Sequence, residues 1–304
     1  MALSLPFALA QAADIVPTRS VTANGMTVLF LEQHFLPTVE IHALVKVGSA
    51  QDPPDKAGLA NLTASLLDEG TLTRTSRQIA EQIDFVGGSL EAHAAEDFTT
   101  ASTRVLKKDA DLGFALLADM LQHPAFHKQE FERVRTQILG EIVSDDDDPG
   151  NVAMKAFHQL IFHGHPYSWP AHGTEETLNK ITVADIQQFH AREYLPNQTI
   201  LVIVGDLTQD QAAALVQTHF GSWKKGPPSP YQIKKPASIE RKMVQLIEKD
   251  LTQSTIVLGH TGITRTNPDY YAVTVMNYIL GAGGFSSRLM DSIRDKQGLA
   301  YGIM

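Results

Sequence analysis

The 304-residue chain contains no cysteine. Disulfides, thiolate nucleophiles and thiolate metal ligands are therefore excluded, and the absence suits a bacterial export route without requiring one. Positive charge is in short supply: 25 Lys and Arg stand against 34 Asp and Glu, a net charge of −9. That balance argues against nucleic acid or an anionic membrane surface as the main partner. No run of about 18 apolar residues follows the N-terminus, so no transmembrane helix is expected. A phosphate loop, a nucleophile elbow and a dinucleotide fingerprint are all missing. What is present, 43% hydrophobic and 19% well-mixed charged residues, is globular composition, enough for one large domain or two ordinary ones.

The first 13 residues, MALSLPFALAQAA, are apolar and end in a small-x-small pattern like a signal-peptidase site. They lack a positive n-region, so the expectation is a signal-peptide remnant and a periplasmic or secreted protein, with a plain unstructured start as the alternative. Near-alternating β-branched residues predict strands at 26–34 and 38–48. Helices are expected at about 56–69, 75–85, 108–122, 128–144 and 150–162, from the cap at Thr182 to His190, and at 208–220. A hairpin is expected over 87–106, and TILVIVGD (199–206) reads as a buried strand. These boundaries place a first domain at 14–222 and a Pro-rich linker at 223–238, overlapping a stretch, 221–236, that carries four prolines. Beyond it the chain echoes itself. Val28, Glu32 and Thr38 meet Val244, Glu248 and Ser254 at a fixed offset of 216, and an apolar strand (TIVLGH) and a helix (PDYYAVTVMNYILG) are expected to follow. Residues 239–304 are read as the start of a second, truncated copy.

GSAQDPPDKAGLANLTASLLDEGT (48–71) places Asn61, Ala64 and Ser65 on one side of the expected helix, since positions three and four apart share a face. The segment resembles the signature region of the pitrilysin (insulinase, mitochondrial processing peptidase) zinc-metallopeptidase family, G-S-x-x-D-x-x-x-x-x-G-x-A-H-x-x-E-H-x-x-x-x-G-T. GGSLEAHAAEDFT (87–99), HPAFHKQEFERVRTQILGEI (123–142), DDPG (147–150), HPYSWPAHGTEETL (165–178), YLPNQTILVIVGD (194–206) and SSRLMDSIRDKQGLAYGI (286–303) follow in the family's order and spacing. The resemblance implies an α+β fold of two similar halves, each an antiparallel sheet with helices on one face. It also explains the internal echo.

Carried over residue by residue, Asn61 stands for the first zinc histidine, Ala64 for the general-base glutamate and Ser65 for the second histidine. Glu141 matches the third ligand, and Val134 replaces a supporting acid. An amide, a hydroxyl and one carboxylate bind zinc poorly, and without the glutamate no group at that position deprotonates a metal-bound water. Glu141 is read in the first place as a solvated or salt-bridged helix carboxylate. The helix is expected to persist because Leu59, Leu62, Leu66 and Leu67 form an apolar stripe.

Arg294 and Tyr301, seven apart in IRDKQGLAY, match the Arg/Tyr pair that in the family reaches the scissile peptide from the second half. Their alternative reading is a structural arginine and a core tyrosine. The resemblance implies a non-catalytic subunit that lends Arg294 and Tyr301 to a partner carrying H-x-x-E-H, with peptide or unfolded protein as substrate. No cofactor is expected in this chain, and zinc only in the partner. Two alternatives stay open: a scaffold member without proteolytic role, and a hydrolase using Glu141 and a loop histidine on an unorthodox metal. Other histidine readings are weaker. His123 precedes Pro124 and is expected ahead of a helix, while His163, His165 and His172 crowd one loop; Asp145 to Asp148 lack the alternation and glycine of a calcium loop.

Overall fold

The structure, a computed structural model, describes residues 16–227 and 233–304; the apolar N-terminal 13 residues and part of the Pro-rich linker lie outside the described residues. In chain order the elements are β1 (Thr18–Val21), β2 (Thr27–Glu32), β3 (Thr38–Val45), α1 (Leu59–Ala64), α2 (Ser76–Phe85), β4 (Ser89–Ala94) and β5 (Thr99–Leu106). Then come α3 (Ala110–Gln122), α4 (Lys128–Asp147), α5 (Pro149–Ile161), α6 (Glu175–Leu178), α7 (Val183–Glu193), β6 (Thr199–Gly205), α8 (Gln209–Phe220) and α9 (Tyr270–Asn277). Two compact units result: Met1–Ala237 with Met243–Val257, and Ser238–Lys242 with Leu258–Met304.

In the first unit six strands form one sheet in the order β1-β2-β6-β3-β5-β4. Its pairings are antiparallel except β2–β6, which is parallel because the helical segments between them return the chain to the same end of the sheet. Alternation decides the faces. Val39, Ile41, Ala43 and Val45 of β3, with Leu201 and Ile203 of β6, are fully buried under the helices. Glu40 and His42 turn to the other side, where Glu91, His93 and Arg104 of neighbouring strands also lie exposed. α3 packs across β5 and β3, and α8 across α3 and β2. Phe114, Leu117, Leu121, Phe189 and Phe220 fill the layer between, each contributing about 1.5–3 kcal/mol by burial.

Helix starts follow their caps: Thr75, Thr182 and Thr208 each close a capping box with Gln78, Asp185 and Gln211. Two expectations fail. The helix expected over 56–69 is regular only at Leu59–Ala64, because Leu66 and Leu67 donate to carbonyls three residues back and tighten the chain into turns. β1 and the short α6 had no clear sequence signal. The strand expected in TIVLGH does not form, and the 244–255 stretch that echoes 28–39 is not a strand either: Val244, Leu246, Ile256 and Leu258 are exposed, and no described strand lies beside them to take their hydrogen bonds. In the second unit the expected helix forms as α9 and widens into a π-helical turn at Tyr278–Ala282.

Candidate functional site

The segment that leads into α1 is held by its backbone. Ser49 and Ala50 N–H groups donate to Ala95 and Glu96 in the β4–β5 turn, each at 2.9 Å. The approach is so close that a Cβ on Gly48 would lie 2.2 Å from the Ala95 carbonyl oxygen. Gly58 begins the helix at φ +98°, a left-handed conformation that spares the backbone a steric penalty only in glycine. The orphan amides of α1 are taken by Asp52, whose Oδ2 accepts from Gly58 N–H at 2.8 Å and Oδ1 from Ala60 N–H at 2.9 Å. Burial pushes the Asp52 carboxyl up to about 7, against the lowering pull of these amides.

On α1 itself Ala64 is 1% exposed, and Asn61 and Ser65 are half-buried. Leu59, Leu62, Leu66 and Leu67 are all buried, as the apolar stripe requires. Glu141 lies exposed on α4, where Oε1 accepts from Gln137 Nε2 at 3.1 Å, one turn away. Val134 belongs to the core. The donor set at these positions is one amide, one hydroxyl and one solvated carboxylate, with a methyl where a base would stand, and it does not fit zinc. Among the described residues no group of three or more His, Asp or Glu is placed to hold a metal ion. The segment after α1 is tied to α4 by charge instead: Arg133 pairs with Glu69 and, at 2.8 Å, with Glu130, and both carboxylates hold its guanidinium still more firmly protonated.

In the second unit Arg294 sits on a π-helical turn, Met290–Asp295. Its guanidinium carbon lies 5.3 Å from the Tyr301 ring centroid and 4.8 Å from that of Phe285. Tyr301 is 88% exposed. Arg294 forms no ion pair with a described carboxylate, so ring stacking holds its carbon stem and plane while its N–H donors stay available.

The loop histidines separate. His165 is buried, with Nε2 2.7 Å from the Lys234 carbonyl oxygen and Nδ1 accepting from Tyr167 N–H at 3.1 Å, which fixes the Nε2–H tautomer. His163 lines a cavity with it, whereas His172 lines another beside Asp145. His123 ends α3, so it does not share a helix face with His127. Sequence reasoning gave no role to Asp52, Phe285 or the Glu69–Arg133 pair. Asp52 did leave a trace, the acidic position ahead of the helix in the signature.

Residues 27–175 match the insulinase family (peptidase family M16), and residues 180–304 match the peptidase M16 inactive domain. An uncharacterized zinc protease of Rickettsia bellii is 30% identical over 92% of this chain and 67% of its own length. One from Mycobacterium tuberculosis is 32% identical over 96% of this chain and 67% of its own. The crystal structure of a peptidase M16 inactive domain from Pseudomonas fluorescens superposes with a TM-score of 0.82 at 29% identity, covering 94% of this chain and 69% of that one. A helix-covered mixed sheet with a signature helix defines the M16 peptidase-like class of fold. The chain belongs to the M16 (insulinase) peptidase family. No described helix is long and apolar enough to cross a membrane.

Proposed function

We propose that this protein is a non-catalytic subunit of an exported heteromeric zinc peptidase, supplying Arg294 and Tyr301 to the active site of an H-x-x-E-H partner. The observation that carries the reading is the pairing of opposites in one chain: a signature helix stripped of imidazole and carboxylate, and an exposed Tyr301 stacked with a half-buried Arg294 whose donors form no ion pair with a described carboxylate. A guanidinium and a phenol suit the oxyanion and carbonyls of a peptide under attack. The edge strand β4, with alternate residues exposed beside α1, supports an extended peptide as the ligand, because its outer backbone groups have no strand partner among the described residues. Zinc and the water-activating base belong to the partner, and the apolar residues 1–13 support export to the periplasm.

The test is reconstitution. The isolated chain is expected to show no chelator-sensitive cleavage, and adding the H-x-x-E-H partner that co-purifies from the native host is expected to produce it. Arg294→Ala or Tyr301→Phe in this chain should each lower kcat of the mixture about 10²–10³-fold, the loss of one oxyanion donor. Mixture activity indifferent to both substitutions would end the proposed role.

A further inference from the structure

A cavity of about 590 Å³ lies in the first unit between the segment before α1 and the loop after α5. Pro53, Pro54, Pro166, Pro170 and the indole of Trp169 give it flat apolar walls, and Trp169 remains 43% exposed. Its size falls within the roughly 300–1,000 Å³ of small-ligand and peptide side-chain sites. Set into these walls are Ser49, Gln159, His163 and Ser168, whose side chains make no hydrogen bond to any described residue. Hydroxyl, amide and imidazole groups are left facing a pocket of prolines.

The charges narrow the occupant. No lysine or arginine lines the cavity, so phosphates and other anions find no counter-charge. Asp52 is its single carboxylate, and both oxygens are engaged by the amides of α1, which leaves little for a cation. A neutral ligand with flat apolar surfaces and free carbonyl oxygens fits what remains. A proline-bearing peptide in the polyproline II conformation has both, since that helix makes no internal hydrogen bonds and docks onto aromatic-lined grooves. The cavity wall already handles such a backbone: His165, one of its lining residues, donates to the main-chain carbonyl of Lys234, two residues before Pro236 in the Pro-rich linker.

We propose that this cavity is a docking site for an extended, proline-bearing peptide, with Trp169 stacking on prolyl rings and Ser49, Gln159, His163 and Ser168 bonding the peptide carbonyls. Asn61, Ala64, Ser65, Arg294 and Tyr301 are not among the lining residues, so the docking site stands or falls without the subunit role.

Titration calorimetry of the full chain with a capped oligoproline, and with a Gly-Ser peptide of equal length, tests it. Saturable binding of the oligoproline alone is expected. Trp169→Ala should weaken it about tenfold, whereas Trp169→Phe, which keeps a flat ring, should retain most of the affinity. Gln159→Ala, a change on the helix flank with no side-chain hydrogen bond to a described residue to lose, should weaken it by a smaller factor. Absence of saturable heat, equal binding of both peptides, or an unchanged affinity in a Trp169→Ala chain with native circular dichroism would each overturn the assignment.

Discussion

Placing a glutamate on the signature helix, Ala64→Glu, separates packing from chemistry. Ala64 is 1% exposed, so the longer side chain must enter a filled core. Overpacking of this kind costs about 1–3 kcal/mol. The carboxyl would also arrive without a partner, and full burial raises a carboxyl pKa by up to about 3–5 units. At about 1.4 kcal/mol per unit, a shift of ~3 units adds ~4 kcal/mol once the group must ionise. The sign follows from proton counting. The folded variant would hold its proton to higher pH than the unfolded chain, so the extra penalty is absent near pH 4 and grows as pH rises toward 8. The sum, roughly 5–7 kcal/mol, rivals the whole stability of an ordinary domain. Urea denaturation of Ala64→Glu and Ala64→Gln at several pH values reads this directly. The glutamine variant should lose a pH-independent amount and the glutamate variant an amount that climbs with pH. Parallel, flat losses would refute the buried, partnerless position, and a stable glutamate variant would refute the packing as well.

Asp52→Asn should remove one of two caps on α1 and cost about 0.5–2 kcal/mol. The parent's Asp52 keeps its proton up to about 7 when folded, so that share of parental stability is full near pH 4 and fades as pH rises through that value; the asparagine chain lacks the slope, and its deficit should be largest near pH 4 by urea titration. Gly58→Ala forces a side chain into φ +98° and within 2.7 Å of the His172 carbonyl oxygen, and a loss of more than about 1 kcal/mol is expected in thermal unfolding.

Much of this protein was legible from the chain alone, for reasons that can be named. Thr182 with Asp185 and Thr208 with Gln211 are local devices, so their helices begin where the residues say. Alternation in β3 and β6 is a two-residue period and survives any tertiary arrangement. The failures share a different cause. The 244–255 stretch has strand composition, yet a strand is a relation between two chains of hydrogen bonds, and no described neighbour supplies the second. The signature helix keeps its leucine stripe and still ends at Ala64, because the turns after it are set by packing and by the Glu69–Arg133 link to α4.

The chemistry of the site divides along the same line. That Asn61, Ala64 and Ser65 make poor zinc ligands is a property of the residue types and required no coordinates. Whether Glu141 faces them or solvent depends on which way one turn of α4 points, and it points outward to Gln137 and water. The stacking of Arg294 between Phe285 and Tyr301 and the meeting of His165 with the Lys234 carbonyl are likewise products of folding. Residue identity determines which bonds a side chain can make; only the path of the backbone between distant positions decides which of them it does make.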